Sequence, residues 1–313
     1  VNLVAPQDMH KEFLSAVGYG SMMGLLKNYE VINPIISSTI DSLNRLKPGF
    51  EAPVCIVTSL GISPEVPSRN RTILAGLIRD IDNPLATRIE MRSPNPYTNT
   101  YLAIAAFYIA MLDGIKACVE SGKTLKEMEN ELSKKAGEEG FYLETDRQYR
   151  SEHDVFEDYN EEERAHLFGK PPATVWENMC AIKNYPEKIA VLTSGNIFKK
   201  EFIDSFAAGA LIRWQTELLN RIIPEYHKEI CQMKKLHDDD NHTTHDAAMW
   251  EKIAAMRNTM AKDFTDQPSL FTMTRQAFAR GDFDAASSLQ LEMAELMQKL
   301  KAQYNEYQHN IID

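Results

Sequence analysis

The run Arg88-Ile89-Glu90-Met91-Arg92 constrains the fold more than any other stretch of the chain. Its polarity alternates with a period of two, so as a strand it carries three charged side chains on one face and Ile89 and Met91 on the other. A strand with one dry face needs a packing layer, and the sequence supplies one directly after it. Leu102, Ala105, Ala106, Ile109, Leu112 and Ile115 recur at helical spacing behind Thr98-Asn99-Thr100-Tyr101, and Gly122 ends that helix. Upstream, Val54-Cys55-Ile56-Val57-Thr58 is β-prone, and Arg69 and Arg71 share a face if their segment is extended. Neighbouring strands would then line one concave surface with four arginines and Glu90. The pattern suits an anion site, and equally a solvated sheet face with cross-strand ion pairs that are each worth little.

Charge sharpens the first reading. Residues 45–92 hold seven Lys or Arg against five Asp or Glu, in a chain of net charge −11. A cationic island in an acidic protein is a place for an anion, and the overall acidity argues against nucleic acid as a partner. At 313 residues the chain can bury a large core and divide into two or more units. Cys55, Cys118, Cys180 and Cys231 form no CxxC pair, so neither a disulfide framework nor a zinc site is predicted, and a reducing, cytoplasmic setting fits. No apolar run of membrane-spanning length and no signal sequence is predicted. The chain starts at Val1, as a processed chain or a fragment would.

The remaining segments read as helices and connectors. Lys11 to Ile32 is a packed helix in which Gly18, Gly20 and Gly24 allow close approach of a neighbour, and Asn33-Pro34 ends it. Ile35 to Leu46 is a second helix, cut by Pro48-Gly49, and the loop 48–52 presents Glu51. Leu60 to Pro67 reads as a loop. Lys123 to Lys135 is amphipathic helix. Residues 136–170 are acidic, turn-rich and surface-lying, with Phe141, Tyr142, Tyr149 and Phe156 available as pins. Thr174 caps a helix to Ile182, with Glu177 three residues on. Phe202 to Ile223 is helical up to a kink at Pro224. Met249, Ile253, Met256 and Met260 form one apolar stripe; Ala286, Leu289, Met293, Leu296, Leu300, Tyr304 and Tyr307 form a coiled-coil-like seam. Both stripes read as the core of a helical bundle. The stretch His237-Asp238-Asp239-Asp240-Asn241-His242-Thr243-Thr244-His245-Asp246, between two helices, matches no zinc spacing and reads as a polar connector.

Four ordered motifs carry a family resemblance. Arg45-Leu-Lys-Pro-Gly-Phe-Glu-Ala-Pro53, Arg69-Asn70-Arg71-Thr72, Arg88-Ile89-Glu90-Met91-Arg92, and Pro94-Asn95-Pro96 with Asn99, Tyr101-Leu102 and Leu112-Asp113-Gly114-Ile115 resemble the glutamine synthetase motifs R-L-x-P-G-[YF]-E-A-P, R-N-R-[ST], R-x-E-x-R, P-[DN]-P-x-x-N-x-Y-L and L-D-G-I. The resemblance covers Phe13 to Lys116 well and Thr174 to Tyr226 more weakly. It implies an α+β catalytic domain, an antiparallel sheet with packed helices, followed by a helical C-terminal region similar to that of larger type III forms. On this reading the C-terminal part of the catalytic domain spans 1–118, an acidic segment with helices 119–195, and a helical extension 196–313.

What the family does is then an expectation for this chain. Glutamate, ammonia and ATP would be substrates, with Mg²⁺ or Mn²⁺ as cofactor; the γ-carboxylate attacks the terminal phosphate and ammonia then attacks the acyl phosphate. Bringing anion to anion demands cations, and arginine's planar fork suits carboxylate and phosphate. By resemblance, Arg45 and Arg92 hold glutamate, Arg71 faces the transferred phosphate, and Arg88, with Arg79 as a further candidate, binds nucleotide. Glu90 is a metal ligand, and Glu51 closes over the intermediate and helps deprotonate ammonium. The family's β-grasp domain, earlier metal-binding glutamates and glycine and histidine motif have no counterpart here. The chain therefore reads as about half an active site, inactive alone, from a ring-forming oligomer. A γ-glutamyl ligase for another amine and a noncatalytic relative are the alternatives.

Overall fold

A computed structural model of the protein describes residues 3–46, 55–236 and 243–309. The chain divides into two compact units, 1–210 and 211–313. Unit 1 is built on the crossing of α1 (Ala16–Lys27) and α4 (Thr100–Ser121). Asn99 caps α4 by accepting from the amides of Tyr101 and Leu102, and Gly122 ends it in the left-handed region at φ +63°. The helices touch backbone to backbone at glycines. A methyl group on Gly20 would stand 2.6 Å from the Cα of Ile115, and one on Gly24 or Gly114 would collide with the carbonyl of Ala110 or Gly20. This is the close approach expected of the glycines near the N-terminus.

Two helix boundaries differ from expectation. The predicted helix 11–32 is two, α1 and α2 (Tyr29–Ile36), separated at Asn28, and Pro34 lies inside α2 instead of ending it. Burial outweighs the lost amide: α2 is only eight residues long and Val31, Ile32, Ile35 and Ile36 are all in the core. Buried polar bonds hold it too, from Asn33 Nδ2 to Asn178 Oδ1 (3.0 Å) and from Asn178 Nδ2 to the Ser37 carbonyl (2.8 Å). The next helix, α3, is short, Ile40–Asn44, with a Thr39/Ser42 capping box.

The fold class is α+β, as expected, but the sheet is mixed and not purely antiparallel. Its order is β1 (Thr58–Ser59), β4 (Ala75–Ile78), β5 (Arg88–Met91); β1 runs parallel to β4, and β5 antiparallel with Gly76 opposite Glu90. Ile89 and Met91 pack on the core while Arg88 and Glu90 are exposed, as the period of two predicts. The presumed loop 60–67 is a hairpin of β2 (Gly61–Ser63) and β3 (Val66–Pro67).

Residues 136–170 are mostly exposed or half-buried, as expected, and are pinned to the core by Phe141, Tyr142, Tyr149 and Phe156. Thr58 donates its amide to the Tyr149 carbonyl (2.8 Å) and accepts from Ser151 (2.9 Å), so this segment runs alongside β1. Leu143, Tyr149, Val155 and Phe168 are buried. Within α5 (Leu125–Ser133), Glu131 accepts from the amides of Phe141, Tyr142 and Leu143 and pairs with Lys134 at 3.4 Å. α6 (Glu161–Phe168), α7 (Val175–Asn184) and α8 (Pro186–Thr193) complete the unit, with Thr174 capping α7 through Glu177 as predicted. The expectation of no membrane-length apolar segment also needs correction. α4 is long and apolar enough by length and composition, at a mean hydropathy of 1.8, with 33% of that window buried.

In unit 2, the helix entered as α9 (Lys200–Glu217) widens to a π-turn over Leu218–Ile222 before α10 (Ile223–Gln232), so Pro224 is met at the start of a helix. α11 (Thr244–Ala261), α12 (Leu270–Ala279) and α13 (Phe283–His309) pack on one another. Met249, Ile253 and Met260 are buried as expected. On α13 the buried positions are Ala286, Ser287, Gln290, Met293, Met297, Leu300 and Tyr307, so the seam passes through 290 and 297 and not 289 and 296. Trp214 decides that register: it is fully buried against Phe278, and its indole N–H donates to Gln290 Oε1 at 2.5 Å. Of the polar connector, 237–242 lies outside the described residues, and Thr243 caps α11 with Asp246.

Candidate active site

The charged face of β5 is assembled by a loop, not by a neighbouring strand. Residues 69–72 are irregular, because Asn70 Oδ1 accepts from both the amide (2.8 Å) and the hydroxyl (2.7 Å) of Thr72. Such an Asx turn competes with a sheet ladder for the same backbone groups. The expected strand through Arg69 and Arg71 is therefore corrected. The turn is held further by Asn70 Nδ2 donating to the His153 carbonyl at 2.7 Å.

This turn places Arg92. Arg92 Nη1 donates to the Asn70 carbonyl at 2.8 Å, and its Nε to Glu90 Oε1 at 3.2 Å. Its guanidinium lies across β4 where Gly76 has no side chain; a methyl there would stand 3.0 Å from Nη2. Arg92's side chain is 15% exposed and Glu90's 47%, so one end of the pair is packed and the other faces solvent. Arg45 joins from α3, donating to the Pro94 carbonyl at 3.0 Å, two residues beyond Arg92. Pro94 belongs to a turn tied to the end of α2: Asn95 Nδ2 and Thr98 Oγ1 both donate to the Ile36 carbonyl, at 3.2 and 2.9 Å.

Arg88 stands at the opposite end of β5, exposed, with Nη1 3.3 Å from its own Ala86 carbonyl. Arg71 is exposed and lines a cleft of about 420 Å³ with Arg69, Asn70 and Glu152. Glu152 shapes this cleft by accepting from the amide of Gly61 at 2.9 Å and from Arg150 Nε at 2.7 Å. Arg79 is elsewhere. It is 8% exposed, and its guanidinium donates to the carbonyls of Met9 (2.5 Å), Glu12 (2.9 Å) and Phe13. There it anchors residues 9–13, and burial lowers its pKa. Glu51 lies outside the described residues.

The structure thus brings Arg45, Glu90 and Arg92 together, with Arg71 one residue beyond the carbonyl that holds Arg92. Asn70 and Gly76 are organisers that charge patterning does not single out; the signal for Asn70 was its place one residue after Ser-Arg and two before Thr72. Among the described residues no group of three or more His, Cys, Asp or Glu is arranged to hold a metal ion. A divalent cation takes about six oxygen ligands. Glu90, already paired with Arg92, could supply one of them, so these residues do not by themselves make a metal centre.

Comparison with known proteins follows the same stretch. The family described as "Glutamine synthetase, catalytic domain" matches residues 1–147. Glutamine synthetase of Archaeoglobus fulgidus is 38% identical over 110 residues, which are 35% of this chain and 21% of that protein. The Escherichia coli K12 enzyme is 38% identical over 102 residues, 33% of this chain and 20% of that protein. This chain therefore spans about a fifth of the length of the curated relatives it matches. The solved structure of Plasmodium falciparum glutamine synthetase superimposes with a TM-score of 0.43 at 20% identity, covering 76% of this chain and 42% of that one. Over its first 147 residues, where all the candidate residues lie, the chain resembles the glutamine synthetase family of ligases.

Proposed function

We propose that this chain forms one wall of the active site of a glutamate–ammonia ligase that works through a γ-glutamyl phosphate. The observation that carries the reading is the placement of Arg92. Its Nε and one Nη1 hydrogen are held by Glu90 and the Asn70 carbonyl. A guanidinium has five donors, so a fixed edge is left to grip a carboxylate. Arg45, held beside it through Pro94, adds a second cation for the same substrate. Phosphoryl transfer onto a carboxylate needs positive charge in place before reaction, because fixed charges stabilise the developing anion without reorganising. Arg71 serves the transferred phosphate in this scheme and Arg88 the nucleotide. Arg79 acts at a distance, by fixing residues 9–13.

Glu90 contributes a single metal ligand, and the remaining ligands come from chain beyond this sequence, as the one-fifth coverage of its relatives suggests. Glu51 keeps its proposed role of closing over the intermediate. The helical extension fits a large, type III-like form of a cytoplasmic, ring-forming enzyme. Incubated alone with ATP, glutamate, ammonia and Mg²⁺, the 313-residue chain should form no glutamine by chromatographic assay. Robust ATP- and ammonia-dependent glutamine formation would overturn the half-site reading. In the complete protein, turnover with methylamine or polyamines in preference to ammonia would move the activity to another γ-glutamyl ligation.

A further inference from the structure

The turn that holds Arg92 is itself held by a segment lying after residue 147, where the family match ends. The Ser151 amide donates to the Thr58 carbonyl of β1 at 2.9 Å, and Ser151 Oγ accepts from the His153 amide at 3.2 Å, which registers 151–153 to the sheet. Two main-chain groups then reach the turn. The His153 carbonyl accepts from Asn70 Nδ2 at 2.7 Å, and the Val155 amide donates to Thr72 Oγ1 at 3.1 Å. The Thr72 hydroxyl gives its single proton to Asn70 Oδ1 at 2.7 Å. Asn70 is thereby fixed with its side-chain oxygen toward two donors of Thr72 and its nitrogen toward a carbonyl. Thr72 is 7% exposed, and Val155 is fully buried in a cluster with Val57 and Ile73. Glu152 adds a second tie. Ser59 Oγ bridges it to Ser68 Oγ, which accepts from the Asn70 amide at 3.1 Å. Ser59 stands opposite Gly76 in the β1–β4 ladder, and the Arg92 guanidinium lies across Gly76, so the circuit from sheet to turn to Arg92 closes on the sheet.

We propose that residues 151–155 are a bracket that positions Arg92, and that Thr72 is the positioning residue through which they act. The proposal rests on the reading that Arg92 grips the glutamate carboxylate. Of the two groups that hold Arg92, Glu90 has a side chain 47% exposed, and an ion pair so open to water fixes little. The Asn70 carbonyl, at 2.8 Å from Nη1, is the firmer anchor and sets the plane of the guanidinium. A bidentate grip on a carboxylate depends on that plane. The direction of the carbonyl follows the backbone at 70–71, which the Asx turn fixes. Without the Thr72 hydroxyl, the buried Val155 amide loses its acceptor and Asn70 Oδ1 keeps only the Thr72 amide. A buried donor left unpaired is costly, so the turn rearranges to find water, and the carbonyl turns with it. Arg88, at the far end of β5, is outside the bracket and serves as the internal control.

Thr72→Val, which keeps the shape without the hydroxyl, and Thr72→Ser, which keeps the hydroxyl, test this. Asn70→Ala, at a half-buried position, cuts the same bracket at its other end and serves if Thr72→Val does not fold. Arginine side-chain NMR of the 313-residue chain reads the anchor directly. The Arg92 guanidinium, assigned by its loss in Arg92→Lys, should rotate slowly about Nε–Cζ in the wild type and in Thr72→Ser, and give averaged Nη signals in Thr72→Val and Asn70→Ala. In the complete protein, Thr72→Val should raise the KM for glutamate about tenfold and leave that for ATP within about twofold, with Thr72→Ser close to the wild type. An Arg92 signal unaltered in Thr72→Val and Asn70→Ala would overturn the bracket, whatever the enzyme does. So would a Thr72→Ser protein as impaired as Thr72→Val, because the methyl group and not the hydroxyl would then be at work. A freed Arg92 with an unmoved glutamate KM would instead overturn the assignment of Arg92 to glutamate.

Discussion

Gly24→Ala is expected to destabilise unit 1 by about 3 kcal/mol or more, although alanine is the better helix former. In an open helix the exchange gains roughly 1 kcal/mol, because glycine loses more backbone freedom on folding. At Gly24 the new methyl group meets the Ala110 carbonyl and lies 3.0 Å from the Gly114 amide nitrogen, both backbone atoms of α4. Backbone cannot rotate aside, so the helices must separate, and overpacking of a tight core costs about 1–3 kcal/mol, more when main chain is displaced. The crossing also positions β5, since Ile89 and Met91 pack on the same core cluster as α1 and α4. Gly209→Ala in α9 is the control: it is exposed, with nothing within 4 Å of the added carbon, and should stabilise by about 0.5–1 kcal/mol. Urea unfolding of both variants checks the pair; a Gly24→Ala protein as stable as the wild type would refute the contact.

Lys188→Met should cost about 3–5 kcal/mol, as removal of one partner from a buried ion network does. Lys188 is 2% exposed, with its ammonium 3.0 Å from Glu30 and 2.7 Å from Glu144. Arg147 closes the circuit at 2.8 Å from Glu30 and 3.0 Å from Glu144, and Tyr149 donates to Glu144 at 2.8 Å. Without Lys188, two carboxylates share one guanidinium. Burial alone would raise the Glu144 pKa, but the Lys188 hydrogen bond and charge, and then Arg147, hold it below the usual range. A depressed acid stabilises the fold above its unfolded pKa and loses that contribution as pH falls through the folded value. The wild type should therefore lose stability on acidification below about pH 4.3, the ordinary glutamate pKa, and Lys188→Met should lose less over that interval. Identical acid dependence in the two proteins would show that Lys188 does not hold Glu144.

The elements legible in the sequence are those whose signal is local and strong. The alternation at Arg88–Arg92, the helix end at Gly122, and the Thr174/Glu177 pair each state their structure within a few residues. Where tertiary contacts decide, sequence reading fails. Pro34 survives in α2 because that helix is buried, and the α13 seam shifts by one residue because Trp214 needs Gln290. Residues 136–170 look solvated from their charge, yet Arg147 spends its charge on the largely buried Glu30. At the candidate site the charged residues were legible, whereas their organisers were not. Asn70 acts through its carbonyl, and Gly76 through a missing side chain, and neither leaves a mark in a charge pattern.

Glu90, Arg71 and Arg92 are proposed to belong to one ligase site. The most direct measurement is ATP- and ammonia-dependent glutamine formation by the complete protein and its Glu90→Ala and Arg71→Ala variants, alongside Mn²⁺ affinity. Each variant should lose about 10²-fold or more in kcat, the scale of removing one charge-stabilising group, with Mn²⁺ binding weakened for Glu90→Ala alone. Unchanged turnover in Glu90→Ala would contradict the account.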